Sequence, residues 1–171
     1  MSRVLVAQIS SQLNFQIAMS TPKYTALIKE LCQLAKISDA QAHAPTADFV
    51  VDDIGFTVIE AGHNGEDAVM LFCDFGSPPS VNREQVLAQL LHLNLAMQGI
   101  NTPAFAMNPD SGHVLLTRRV VIDALSANDV LQVMAEHSVH AREWQQHQYL
   151  RLPSTPSPSM PRKNHAMRNS K

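Results

Sequence analysis

The chain has 171 residues, 45% of them hydrophobic, which fits one folded domain with a single core. Residues 1–150 hold 8 basic residues against 15 acidic ones, whereas five basic residues and no acidic one follow residue 150. An acidic body repels nucleic-acid phosphates, and no apolar stretch is long enough for a signal peptide or a membrane span. We therefore expect neither nucleic acid nor membrane as a partner.

The first 36 residues contain two helical patterns. Leu5, Ile9, Leu13 and Ile17 recur every fourth residue, so residues 1–20 are interpreted as an extension that can form a short helix; Met19 is also a plausible alternative start. A clearer helix is predicted from Pro22 to about Lys36, because Thr21 can cap it and proline suits the first helical position. Its apolar face comprises Tyr24, Leu27, Ile28, Leu31 and Ala35.

A loop over 38–47 leads into three predicted antiparallel strands. The strands cover 49–51, 54–59 and 68–75, where β-branched and aromatic residues are concentrated. The pairs Asp52-Asp53 and Asn64-Gly65 separate them and are typical of hairpin turns.

The second predicted helix is apolar on two sides. We expect Asn82 to cap it, with Gln85 returning the bond, and Gly99 to follow its end near Gln98. One apolar stripe comprises Val86, Leu90, Leu93 and Met97, and the other comprises Leu87, Leu91 and Leu95. A sheet can cover only one stripe, so the other needs a further partner.

A second hairpin and a third helix complete the fold. Strands are predicted over 103–107 and 113–122, and the helix after them is capped by Ser126 with Asp129 at its third position. The predicted buried face of this helix comprises Val130, Val133, Met134, His137, Ala141 and Trp144. Residues 151–171 are rich in proline, serine and basic residues and are predicted to be disordered. Residues 21–150 thus form one α+β domain, α-βββ-α-ββ-α, with a mostly antiparallel twisted sheet packed by helices.

The sequence contains no strong catalytic or metal-binding motif. Glu136, His140, Glu143 and His147 share one stripe of the third helix and could hold a metal, but a solvated Glu–His face is favoured. His137 is interpreted as a buried histidine bonded to backbone, and Asp52-Asp53 as a turn rather than an acid–base pair. Cys32 and Cys73 lie in apolar runs, so we expect buried, reduced thiols.

Several segments in this order resemble the class I type III secretion chaperone family, the Tir-chaperone-like (CesT-like) group. They are YTALIKELCQL at 24–34, VLAQLLHLNL at 86–95, and VLLTRRVV at 114–121 followed by a helix that reaches Trp144. The resemblance covers about residues 22–148. The N-terminal extension and the basic tail have no counterpart in it.

The resemblance implies a cytoplasmic bacterial homodimer without cofactors or enzyme activity. The dimer would form through the second helix, with Val86, Leu90, Leu93 and Met97 at the interface. The partner would be the N-terminal segment of a secreted effector, kept soluble and export-competent, and secretion-apparatus components are further candidate partners. This segment would add to a sheet edge and bury apolar anchors in a groove that contains Leu27, Leu31 and Leu34. The alternatives are a non-secretory α+β dimeric interaction or regulatory module and, less favoured, a metal-dependent enzyme.

Overall fold

The computed structural model describes residues 20–62, 65–99 and 102–147. The predicted N-terminal helix and basic tail lie outside these residues. The helices are α1 Pro22–Leu34, α2 Arg83–Ala96 and α3 Ala127–His147. The strands are β1 Thr46–Val51, β2 Ile54–Glu60, β3 Ala68–Gly76, β4 Ala104–Met107 and β5 Val114–Val121. Short 3-10 turns cover Asp39–Gln41 and Ile122–Ala124. The predicted α+β class and element order are confirmed.

The five strands form one antiparallel sheet in the order β1-β2-β3-β5-β4, so β1 and β4 are its two edges. The turn between β1 and β2 is Asp52-Asp53, and both residues have positive φ (51° and 65°), as a type I′ hairpin turn requires. This confirms the turn interpretation and rules out a strand. Asn64 of the other predicted turn lies outside the described residues, while Gly65 has φ 82°.

One face of the sheet is covered by α1 and α3, and the core lies between them. Side chains alternate along the strands, so every second residue of β2 and β3 is buried. The largest buried side chain is Trp144 of α3, which packs near Phe75 with ring centroids 6.4 Å apart. Tyr24 of α1 is also fully buried and donates its hydroxyl to the Val58 carbonyl at 3.2 Å. All six residues predicted for the buried face of the third helix are buried.

Two of the three predicted helix caps are confirmed. The Thr21 hydroxyl accepts the Tyr24 N–H at 3.3 Å, and the Asp129 carboxylate accepts both the N–H and the hydroxyl of Ser126. The cap predicted for the second helix was wrong, because Asn82 has left-handed backbone (φ 59°) and its side chain makes no capping bond. Asparagine tolerates this conformation better than most residues, so here it turns the chain instead of capping the helix.

Candidate functional site

The two apolar stripes of α2 have different surroundings. Leu90 and Leu93 are buried in the core of the chain itself, and Val86 and Met97 pack beside them. Of the stripe predicted for the dimer interface, Leu90 and Leu93 therefore pack within the chain, while Val86 and Met97 stay half-buried. The other stripe faces outward, since Leu91 is 67% exposed and Leu95 65% exposed, with Leu87 half-buried. We call Leu87, Leu91 and Leu95 the outer α2 row.

The orientation of α2 is set by its contact with the edge strand β4. The side-chain amide of Asn94 donates to the Phe105 carbonyl at 2.9 Å and accepts the Phe105 N–H at 2.6 Å. These two bonds satisfy backbone groups that face away from β5. Asn94 thus attaches the helix to the sheet edge while the outer α2 row remains on the surface.

The apolar face of α1 is divided between core and surface. Leu27 and Leu31 are 5% and 0% exposed, so they belong to the core and a ligand cannot reach them in this conformation. Of the three residues predicted to line a groove, Leu34 is the one on the surface, at 43% exposure. Ile37 lies close by in sequence and is also exposed. The exposed apolar residues Leu34 and Ile37 therefore lie at the C-terminal end of α1.

The end of α1 leads towards the β1 edge. Lys36 has positive φ (54°), and the Ile37 N–H donates back to the Cys32 carbonyl at 3.0 Å, which closes the helix. The following 3-10 turn brings Gln41 beside β1, where its side chain bonds both backbone groups of Asp48. Val50, two residues further along this edge, is 74% exposed. Apolar surface and an edge strand therefore lie along one stretch of chain.

The second face of the sheet is not covered by α1 or α3. Its half-buried apolar residues are Ile59, Met70, Phe72 and Leu115. Polar side chains border them: Arg119 contacts Glu66 at 2.6 Å, and His113 Nδ1 lies 3.0 Å from the Asp74 carboxylate. This face combines apolar side chains with charged ones.

His137 of α3 is buried as predicted, but the predicted hydrogen bond is absent from its Nε2 atom. Within the described residues that atom has no hydrogen-bond partner. Burial, with Arg118 and His140 nearby, lowers the pKa of His137 to about 4, so the imidazole is neutral near pH 7. Asp52 accepts the Ser138 hydroxyl at 3.0 Å, which links the β1–β2 turn to α3. These contacts are structural.

The candidate metal stripe on α3 does not form a metal centre. Glu136, His140 and His147 are exposed and Glu143 is half-buried. In the part of the chain that the structure describes, no group of three or more His, Cys, Asp or Glu side chains is arranged to hold a metal. Cys32 and Cys73 are buried free thiols, as predicted, and burial raises the pKa of Cys73. None of the helices in the described ranges is long and apolar enough to span a bilayer.

The family assignment follows from the sequence match. The model of the Tir chaperone protein (CesT) family matches residues 26–145, which extend from the second turn of α1 to the last turn of α3 and include all five strands. The chain belongs to this family. The family is one of type III secretion chaperones, so the predicted resemblance is confirmed. No curated protein matches the sequence.

Three solved complexes contain a chain that shares the fold. A chain in the ExsC–ExsE complex is 19% identical with a TM-score of 0.62, covering 76% of this chain and 96% of its own. A chain in the HopA1–SchA chaperone–effector complex is 16% identical with a TM-score of 0.53, covering 72% and 94%. A chain in the ExoT–SpcS complex from Pseudomonas aeruginosa is 19% identical with a TM-score of 0.51, covering 72% and 97%.

Sequence reasoning did not identify Gln41 and Asn94. Each is a carboxamide that bonds both backbone groups of a residue on an edge strand, seven or eleven positions away. No periodicity marks such a residue, because its partner is chosen by the path of the chain between them. The outer α2 row was visible as a stripe, but periodicity alone does not say which stripe faces the core.

Proposed function

We propose that this chain binds the N-terminal chaperone-binding segment of a secreted effector and keeps that segment soluble and ready for export. The observation that carries this proposal is the family match over residues 26–145. The surface supports it, because apolar side chains remain exposed on an acidic, well-packed domain. One of the solved complexes with this fold is itself a chaperone–effector complex.

The effector segment would bind in extended form, along the end of α1 and the β1 edge. Leu34, Ile37 and Val50 would receive its apolar side chains, and the backbone of β1 would bond its main chain. Extended binding leaves the segment unfolded, which suits a protein awaiting export. The net charge of −7 over residues 1–150 favours a basic or neutral segment over an acidic one.

The working unit would be a homodimer joined through the outer α2 row. Two leucines that are about two-thirds exposed on one helix are costly to leave in water, and a second copy of the same row would bury both. The interface residues proposed here are therefore Leu87, Leu91 and Leu95. This proposal moves the interface away from the stripe of Val86, Leu90, Leu93 and Met97, because Leu90 and Leu93 are buried in the core of the chain; Leu87 also packs partly against that core.

The proposed activity is binding alone, in the bacterial cytoplasm and without a cofactor. A chaperone of this type needs its partner, the secreted effector, and delivers it to secretion-apparatus components. The imidazole of His137 is neutral near pH 7, and its Nε2 atom has no hydrogen-bond partner among the described residues.

Co-purification from the source bacterium tests this function. The tagged chain is expressed at its natural level, and bound proteins are identified by mass spectrometry. An exported protein is expected, and its binding should map to its N-terminal segment. The matched control is Leu34→Asp, which should retain less of that protein although the chain stays folded.

The same experiment separates the alternatives. Recovery of one cytoplasmic protein that is never exported would favour a non-secretory interaction module and contradict the proposal. Elemental analysis of the purified chain tests the other alternative. Stoichiometric metal would favour a metal-dependent enzyme, although the described residues contain no suitable cluster.

A further inference from the structure

We propose that Gln41 is a displaceable cap on the β1 edge, which keeps this edge closed until an extended peptide segment adds there as a sixth strand. The inference rests on the proposed function for the identity of the peptide. It concerns the state of the chain before the peptide arrives. Two observations support the proposal. Gln41 bonds the backbone of β1, and Asn94 bonds the opposite edge strand from a long helix.

The side chain of Gln41 imitates a neighbouring strand. Its Oε1 accepts the Asp48 N–H at 2.9 Å, and its Nε2 donates to the Asp48 carbonyl at 3.0 Å. One residue of an added antiparallel strand would make the same pair of bonds through its own N–H and C=O groups. The carboxamide therefore occupies the position that an incoming backbone would take.

Beyond Asp48, the backbone groups on the outer side of β1 are open as far as the described residues are concerned. By the alternation of an antiparallel ladder, Thr46 and Val50 direct their N–H and C=O groups to the same side as Asp48. In the described part of the chain, neither residue has a hydrogen-bond partner on that side. A row of unpaired backbone groups is what an added strand recognises, and Val50 offers it an exposed apolar side chain.

The opposite edge is closed in a different way. Asn94 bonds Phe105 of β4 from the last turn of helix α2, and this helix packs beside that edge, so it stands in the way of an added strand. Pro103, two residues before Phe105, has no N–H to offer an added strand. Strand addition is thereby directed to β1.

Gln41, by contrast, can leave its position by a change of rotamer. It ends a three-residue 3-10 turn rather than standing within a long helix. Its further contact is weak, with Nε2 3.8 Å from the Sγ atom of Cys32. The two bonds to Asp48 are lost and replaced when a peptide binds, so the cap lowers peptide affinity and shields the edge from unspecific pairing.

The test uses a synthetic peptide, acetyl-KTVTVTVTK-amide, which offers backbone bonds and alternating side chains to any free edge. Its binding to the full chain is measured by calorimetry. Gln41→Ala should bind it about tenfold more tightly than the unaltered chain, because two bonds no longer compete. Asn94→Ala should give no gain. A peptide methylated on alternate backbone nitrogens should bind neither variant.

Amide hydrogen exchange locates the binding. The Asp48 amide should exchange faster in Gln41→Ala, and added peptide should then slow exchange at Thr46, Asp48 and Val50. Unchanged or weaker affinity in Gln41→Ala, or self-association without a gain in affinity, would overturn the cap. If the cap behaves as expected while no exported protein co-purifies, the proposed function fails and the cap stands. If an exported protein co-purifies but Gln41→Ala gains no affinity, the proposed function stands and the cap fails.

Discussion

At the scale of single residues, His137 is the group whose chemistry depends most on its surroundings. It lies on the buried face of α3 and Arg118 of β5 is close enough to disfavour its charged form. Burial contributes most to the low pKa of about 4, whereas Glu136 acts in the opposite direction. In the folded chain the imidazole therefore stays neutral at pH 6.5, the pH at which a histidine exposed to water is half protonated.

Acid should therefore destabilise the fold through His137. Below pH 6.5 the His137 side chain of the unfolded chain binds a proton, whereas in the folded chain it does so only near pH 4. The free energy of unfolding therefore falls as the pH decreases from 6.5 to about 4. The expected loss between pH 7 and 4.5 is about 2 kcal/mol. His137→Leu should remove this loss, whereas the exposed His140→Leu should keep it. Urea unfolding at pH 7, 5.5 and 4.5 measures the free energy of unfolding. If this free energy falls with pH as steeply in His137→Leu as in the unaltered chain, the prediction is wrong.

At the scale of elements, α2 and α1 each divide their apolar residues between the core and a surface. In α2 the division is between two stripes, and in α1 it is between the first turns and the last. The same residue type therefore has opposite roles within one helix. Substitution of an exposed apolar residue should therefore affect binding, whereas substitution of a buried one in the same helix should affect folding.

For α2, Leu91→Asp should convert the proposed dimer into a folded monomer. A charge buried in an apolar interface costs several kcal/mol, and Leu91 makes little contribution to the core of the single chain. Gln89→Asp, on the exposed polar side of the same helix, should leave the dimer intact. Leu90→Asp should unfold the chain instead, because Leu90 is buried. Light scattering and thermal melts measure both properties; a Leu91→Asp variant that stays dimeric would move the interface elsewhere.

For α1, Leu34→Asn should weaken effector binding while the melting temperature changes little. Leu34 is 43% exposed, so it can anchor a ligand at small cost to folding. Leu27→Asn should instead lose about 2–5 kcal/mol of stability, because it removes a buried leucine and buries an amide. The paired measurement is calorimetry with the co-purified effector's N-terminal segment and a thermal melt of each variant. Equal losses of affinity and stability in Leu34→Asn would assign this residue to the core.

At the scale of the whole molecule, the core is built from residues between Tyr24 and Trp144. The family match spans nearly the same residues, 26–145. Deleting residues 1–18 and 153–171 should then leave the melting temperature within about 3 °C. Differential scanning calorimetry of the shortened chain checks this. A broad or much earlier transition would mean that the Leu5–Ile17 stripe packs on the body.

Much of the fold was predictable from local chemistry. Thr21 and Ser126 begin helices because their hydroxyls satisfy backbone N–H groups within three residues. Asp52-Asp53 turns the chain because aspartate tolerates positive φ, and the strands beside it alternate between buried and exposed residues. Each of these interactions involves residues only a few positions apart, so the sequence alone is enough to predict it.

The candidate site depends on contacts between segments that are far apart in the chain. The residue pattern of α2 shows two apolar stripes with the same periodicity, so the pattern does not distinguish them. The bonds from Asn94 to Phe105 turn one stripe towards the core and leave Leu91 and Leu95 outside. In the same way, Gln41 caps Asp48 only because the chain between them returns beside β1. Both choices arise when distant segments meet, since a helix records which of its faces are apolar but not what lies against each face.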